Sequence, residues 1–176
     1  IFCTDLISSY KYKYYGLNSH FTCHPINFLK NNEISQKFNN DIFFIGNIND
    51  TSDRLIKIKI FKEKYKNFKY YDNKGYINLR INEDEINKIY QNSSIIMNFS
   101  RLGEGRLQKN NLCNDFYIKN LFGFKGRPLE VFASGGFCLS EWSYTLEHIF
   151  GDFSNMILFK NNEEMISKIN YFFQNK

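Results

Sequence analysis

Short apolar runs alternate with helix-like segments along most of this sequence, and that alternation limits the chain to few folds. Asp41–Gly46 reads Asp-Ile-Phe-Phe-Ile-Gly and Ser94–Asn98 reads Ser-Ile-Ile-Met-Asn, runs that are typical of strands buried on both faces. Segments with helix-start signals or helical spacing lie between and after these strands. Strands that alternate with helices predict an α/β fold, a Rossmann-like parallel sheet with helices on both faces.

The same signals predict the remaining elements. Further strands are expected at residues 68–71, 137–140 and 155–159, with a short strand or extended loop at 76–79. Helices are expected from a cap at 51–53 to about 67, and at about 82–91, 128–134, 144–150 and 162–173. The middle of the first helix, Leu55–Phe61, alternates like a strand. A helix is favoured instead, because four apolar or aromatic residues recur at helical spacing and would lie on one face: Leu55, Ile58, Phe61 and Tyr65.

Ligands of parallel sheets bind at the carboxyl ends of the strands. Three predicted loops meet that edge, after Ile45, Met97 and Leu139. The long irregular stretch Phe99–Lys125 follows one of them, and a loop of that length in a compact domain is usually functional or mobile. We therefore expect the functional site at this edge.

Gly126–Gly136 carries the chemistry expected there. Arg127 and Pro128 open a predicted short helix, and Glu130 lies on its first turn. A helix N-terminus with a guanidinium suits phosphate, and a carboxylate can accept hydrogen bonds from sugar hydroxyls. This pattern indicates a nucleotide or nucleotide-sugar site, although proline and glycine at these positions are also ordinary helix punctuation.

Length and composition fit one folded domain of 176 residues, 43% of them hydrophobic. The formal net charge of +5 comes mostly from lysine and favours an anionic ligand. Five lysines between residues 57 and 66 are interpreted as a solvated helix face, so no nucleic-acid partner is expected. No apolar run is long enough for a transmembrane segment.

The cysteines and histidines predict neither a disulfide framework nor a metal site. The four cysteines are scattered, and the spacing of His20, Cys23 and His24 fits no standard zinc pattern. Reduced thiols and the lack of a signal peptide favour a cytoplasmic protein. Residues 1–40 are expected to form a junction of short strands and turns, and residues 41–176 the nucleotide-sugar-binding domain; the start at Ile1 suggests an excised segment.

In the order of these motifs, the chain resembles the C-terminal, donor-binding half of a GT-B glycosyltransferase, in particular the spore-maturation (CgeB-like) glycosyltransferases. The resemblance rests on Asp41–Gly46 with Arg54, on Tyr90–Arg101, on Arg127-Pro-Leu-Glu130 through Gly136, and on Glu147 with Phe150 and Gly151. It implies transfer of a sugar from a nucleoside diphosphate sugar to a surface polysaccharide, lipid or protein. It also implies no cofactor and no obligatory metal.

The resemblance also implies residue roles. Arg127 would neutralise the diphosphate and Glu130 would bind the ribose, and these two are the candidate catalytic residues. The implied donor-binding residues are Gly46, Asn47, Arg54, Asn98, Ser100, Arg101, Gly135 and Gly136.

Two departures from the family pattern limit the expected activity. Phe122 stands where the broader retaining family has the first of two glutamates, eight positions before Glu130. Residues 1–40 are too short for the N-terminal acceptor domain, so this chain is expected to bind nucleotide weakly and to transfer little alone. A non-catalytic α/β module that binds a nucleotide or a partner is the alternative, and a nucleotide-sugar epimerase is a third.

Overall fold

A computed structural model describes residues 1–23, 41–46, 52–71, 83–101 and 121–175. Its strands are β1 (Phe2–Cys3), β2 (His20–Phe21), β3 (Ile42–Ile45), β4 (Phe68–Tyr71), β5 (Ile95–Asn98), β6 (Cys138–Glu141) and β7 (Leu158–Phe159). Its α-helices are α1 (Leu6–Tyr14), α2 (Ser52–Lys64), α3 (Glu83–Asn92), α4 (Arg127–Ala133), α5 (Tyr144–Phe150), α6 (Ser154–Ile157) and α7 (Asn162–Gln174). A 3₁₀ turn covers Gly151–Phe153.

Strands β3 to β7 form one sheet in the order β4-β3-β5-β6-β7, with every neighbouring pair parallel. Ile42 pairs with Phe68 on one side and with Ile95 on the other. The predicted Rossmann-like parallel sheet is confirmed. The chain order reverses direction between β3 and β5, and such a switch point leaves a crevice outside the carboxyl ends of the two strands.

Helices cover both faces of the sheet, because alternate strand residues point to opposite sides. Ile42 and Phe44 belong to a core that includes Ile58 and Phe61 of α2 and Met165 and Ile169 of α7. Phe43 and Ile45 pack on the other face with Tyr90 of α3 and Val131 of α4. The inward positions of α2 agree with its predicted apolar face, except that Leu55 is exposed.

The N-terminal segment differs from its prediction. Its two short strands are present and pair in parallel, but a nine-residue helix, α1, lies between them. Asp5 starts that helix by accepting a hydrogen bond from the Ser8 N–H at 3.0 Å. The Leu6 N–H donates to Thr145 Oγ1 at 3.3 Å, so the segment packs against α5. The boundary at residue 40 stays a prediction.

Smaller differences concern element ends and burial. Residues 154–157 form helix α6, so the predicted strand at 155–159 is reduced to β7. The predicted solvated face of α2 is wrong at Lys57, which is 2% exposed. Four predictions lie outside the described residues: those for 76–79, for the part of the long irregular stretch at 102–120, for the cap at Thr51 and for His24.

Candidate functional site

Two helices that begin at the carboxyl edge of the sheet flank the switch point. α2 follows β3 and packs on one face, and α4 follows β5 and packs on the other. Their N-terminal ends therefore diverge on either side of the crevice between β3 and β5. This is the place where parallel sheets bind ligands.

At Gly46, directly after β3, the backbone lies close to the Arg127 guanidinium. Its φ of +152° is a backbone angle that residues other than glycine rarely adopt. A β-carbon there would lie 3.0 Å from Phe44 Cζ and 3.6 Å from an Arg127 terminal nitrogen. The structure therefore brings Gly46 and Arg127 together, as their predicted roles require.

Arg127 and Glu130 act on a common neighbour, the Tyr90 phenol. Burial raises the pKa of Tyr90; the Arg127 guanidinium lowers that pKa, also by a hydrogen bond, and the Glu130 carboxylate raises it. Both charges therefore lie near one buried ring. Glu130 is exposed, whereas Arg127 is half-buried and its Nε has no hydrogen-bond partner among the described residues.

Asn98 and Ser100 hold the end of β5 to the end of β6. Asn98 Nδ2 donates to Ser140 Oγ at 2.8 Å, and Ser100 Oγ donates to the Glu141 carbonyl at 2.9 Å. Both residues are at most 1% exposed. These contacts give them a structural task, and within the described part of the chain Asn98 Oδ1 is left as an unpaired acceptor.

Arg101 belongs to a group of four charges that we call the charge quartet: Asp53, Lys57, Arg101 and Glu141. Lys57 Nζ donates to Asp53 Oδ2 and lies 2.6 Å from Glu141 Oε1. The Arg101 N–H donates to Glu141 Oε2 at 3.0 Å, and a terminal nitrogen of Arg101 lies 3.4 Å from Asp53 Oδ1. The quartet joins α2 to the ends of β5 and β6.

Aromatic rings complete this edge. The Arg101 guanidinium lies 5.2 Å from the centre of the Phe122 ring, and Phe122 packs edge-on against Trp142 at 5.8 Å. Arg54 is 6% exposed, and its guanidinium is 5.9 Å from the Phe44 ring. Arg54 is therefore largely covered at the start of α2, whereas Arg101 is 20% exposed.

A family model described as glycosyl transferase-like matches residues 42–176, from the first residue of β3 to Lys176. The chain belongs to this glycosyl transferase-like family. At the level of single proteins, no curated sequence and no solved structure matches it.

Within this glycosyl transferase-like domain, two predicted donor-binding glycines lie away from the others. Gly135 and Gly136 follow the C-terminal end of α4 and precede β6, at the opposite edge of the sheet from Arg127. Gly135 has φ +80°, and a β-carbon on Gly136 would overlap the Tyr90 carbonyl oxygen. They end α4 and let it pack against α3, and their donor-binding role stays a prediction. Asn47 lies outside the described residues.

The prediction from sequence missed Lys57, Asp53 and Glu141. Two signals could have found them: Asp53 and Lys57 are four residues apart on one helix, and Glu141 ends an apolar strand with a carboxylate. In the described ranges, no three His, Cys, Asp or Glu residues are grouped to hold a metal ion. None of the described helices is long and apolar enough to cross a membrane.

Proposed function

We propose that this domain binds the nucleoside diphosphate of an activated sugar and serves the transfer of that sugar to an acceptor. The observation that carries the proposal is the approach of Arg127 to Gly46 at the switch point of the sheet. Membership of the glycosyl transferase-like family supports the reaction class.

The proposed chemistry needs positive charge at the carboxyl edge. The bond between the anomeric carbon and the terminal phosphate oxygen breaks, and its electron pair leaves on the diphosphate. A bond forms from an acceptor oxygen to the same carbon, and the acceptor proton passes to a base. Arg127 and Arg101 would stabilise the charge that develops on the leaving diphosphate, because fixed donors aimed at such charge lower the barrier.

Glu130 fits the ribose role that we propose for it. It lies three residues after Arg127, so both side chains project from the first turn of α4. An exposed carboxylate beside a phosphate-binding guanidinium can accept hydrogen bonds from two vicinal hydroxyls. Arg127 and Glu130 would then recognise neighbouring parts of one nucleotide.

We further propose that transfer needs an acceptor domain of the kind found in GT-B enzymes, supplied from outside residues 41–176. The residues described at the switch point would serve donor binding, and none of them is proposed as the base that takes the acceptor proton. A cytoplasmic location, where nucleotide sugars are used, remains our prediction. This chain alone is expected to bind the donor without appreciable transfer.

Calorimetry tests the proposal directly. We expect UDP or GDP, free or joined to a sugar, to bind the 176-residue chain, with Arg127→Gln weakening the binding about tenfold, the loss of one charge-assisted hydrogen bond. Lys64→Gln, at the exposed C-terminal end of α2, is the matched charge control and should change affinity less than twofold. Failure of every nucleoside diphosphate to bind at millimolar concentration would contradict the proposal.

A non-catalytic binding module is the second candidate, and Phe122 favours it. The ring occupies the position of an expected glutamate and packs against Arg101 and Trp142. The chain assayed with an acceptor domain distinguishes the two, since only an enzyme would release nucleoside diphosphate with a glycosylated product. Epimerised sugar nucleotide as product would instead indicate an epimerase.

A further inference from the structure

Two members of the charge quartet are almost fully buried. Lys57 and Glu141 are 2% and 1% exposed, and their side chains meet at 2.6 Å across α2 and β6. Removing two charges from water costs about as much free energy as their attraction returns, so a buried ion pair is weak evidence for a stabilising role. Net stability is therefore a poor reason for this pair at the ligand-binding edge.

The pair contacts Arg101 by two routes. Glu141 uses its second oxygen to accept the Arg101 N–H at 3.0 Å, which fixes the backbone after β5. Lys57 also donates to Asp53, and Asp53 in turn lies 3.4 Å from the Arg101 guanidinium. Glu141 thus constrains the backbone of Arg101 directly and its side chain through Lys57 and Asp53.

We propose that Glu141 is a positioning residue that sets the place and direction of the Arg101 guanidinium for a diphosphate. The identity of the ligand rests on the proposed function, whereas the order of Arg101 can be measured without any ligand. Glu141 itself is covered and would not touch the substrate.

Arg101 is the more loosely held of the two cations in the quartet. Lys57 contacts Asp53 closely and lies 2.6 Å from Glu141, while the nearest Arg101 nitrogen is 3.4 Å from Asp53. The two cations and two carboxylates cancel overall. Arg101 is 20% exposed, and its Nε has no hydrogen-bond partner in the described part of the chain. Phe122 supports the guanidinium plane from one side.

Charge alone and positioning predict opposite effects of Glu141→Gln. The substitution removes a negative charge beside an anion site, so simple electrostatics predicts tighter binding of a diphosphate. Positioning predicts weaker binding, because the amide no longer holds Lys57 and Arg101 in place. Glu63→Gln, exposed near the other end of α2, makes the same charge change as a control.

The first measurement follows Arg101 without ligand. The chain has five arginines, so the Nε–Hε signals in a ¹⁵N spectrum can be assigned with an Arg101→Lys variant. We expect a heteronuclear NOE near that of the ordered backbone for Arg101 in the native chain, and a clear drop in Glu141→Gln. An unchanged value in that variant, or a mobile Arg101 in the native chain, would overturn the proposal.

The second measurement uses inorganic pyrophosphate, UDP and GDP as probes in calorimetry. Glu141→Gln should weaken their binding about tenfold, the value of one charge-assisted hydrogen bond, while Glu63→Gln changes it less than twofold. Equal or tighter binding in Glu141→Gln overturns the positioning role. If the native chain binds no probe, the proposed function fails, and the NOE still decides the role of Glu141.

A double variant covers the case in which Glu141→Gln does not fold. Lys57→Met with Glu141→Leu replaces the ion pair by apolar side chains of similar size, which buried pairs often tolerate. We expect this variant to fold and still show a mobile Arg101 and weakened pyrophosphate binding. A folded double variant with native Arg101 order would show that the pair only fills space, and would overturn the proposal.

Discussion

A terminal nitrogen of Arg127 stands 3.6 Å from the point that a β-carbon on Gly46 would occupy. The two residues are 81 positions apart and meet because β3 and β5 are neighbours at the switch point of the sheet. The guanidinium thus lies directly beside the backbone at the end of β3. The proposed diphosphate site depends on this contact.

Gly46→Ala tests that contact. The residue has φ +152° and the new methyl group would press on the Phe44 ring at 3.0 Å, so we expect a loss of about 1–3 kcal/mol in the free energy of unfolding. Nucleotide binding should weaken as well, since the new methyl group would lie beside Arg127 at the strand end, where the diphosphate is proposed to bind. Urea unfolding and calorimetry measure the two effects.

Gly151→Ala is the matched control, because Gly151 also has a positive φ, +52°, but nothing lies within 4 Å of its β-carbon position. It should show strain without loss of affinity. Equal behaviour of the two variants in both measurements would count against a special role for Gly46.

Gly136→Ala tests whether the glycines after α4, Gly135 and Gly136, serve packing or donor binding. The methyl group would overlap the Tyr90 carbonyl oxygen and lie 3.0 Å from Val131 Cγ1, so α3 and α4 must separate. We expect a stability loss of about 1–3 kcal/mol or more, with nucleotide affinity of the folded fraction within twofold of native. A variant of native stability with tenfold weaker binding would support the donor-binding role instead.

Glu130→Gln tests ribose recognition. The native chain should prefer a ribonucleoside diphosphate over its 2′-deoxy form. The variant should bind the ribonucleotide about tenfold more weakly than the native chain does, with little change for the deoxyribonucleotide. Pyrophosphate, which has no ribose, is the control ligand, and its affinity should be unchanged or slightly higher. Glu130 is exposed, so the fold should remain intact. Retained ribose preference in the variant would remove Glu130 from the site.

Two buried weak acids predict alkaline destabilisation. Burial raises the pKa of the Cys138 thiol from 9.0 to about 12, and burial also raises the pKa of the Tyr90 phenol above 10.0. Both groups are neutral in the folded chain, so their contribution to stability is complete below about pH 9. It is lost as pH rises, because the unfolded chain releases these protons first.

Each of these groups makes the free energy of unfolding fall by about 1.4 kcal/mol more per pH unit. It does so between its pKa in the unfolded chain and its higher pKa in the folded chain. Urea unfolding between pH 8 and 10.5 measures the slope, and Cys138→Ala and Tyr90→Phe should each make it shallower. Tyr14→Phe serves as the control, since the Tyr14 side chain is exposed. Identical slopes in all four proteins would disprove the assignment.

The sheet could be predicted because its strands are apolar on both faces and glycines or polar residues bound them. Asp41–Gly46 and Ser94–Asn98 carry the signal in a few adjacent residues, and local patterns of this kind identify buried parallel strands. α1 was missed because its alternating tyrosines and lysines resemble an exposed strand. The Asp5 side chain caps the segment by accepting a hydrogen bond from the Ser8 N–H, which stabilises it as a helix.

The candidate site could be predicted only in part. Arg127 and Glu130 share one helical turn, so a short motif contains them both. The pair of Lys57 and Glu141 spans 84 positions, and Lys57 stands among exposed lysines. The spacing of Asp53 and Lys57 indicates an ion pair, but no local signal shows that Lys57 is buried, because Glu141 comes from a distant part of the chain. Only the order of strands in the sheet brings the two together.

The central claim is that arginines at the switch point bind a diphosphate. The arginine Nε–Hε signals of the 176-residue chain, followed during titration with UDP and GDP, test it most directly. We expect saturable shifts of the Arg101 and Arg127 signals with one common dissociation constant. Absence of shifts at both residues, or shifts confined to arginines elsewhere in the chain, would contradict it.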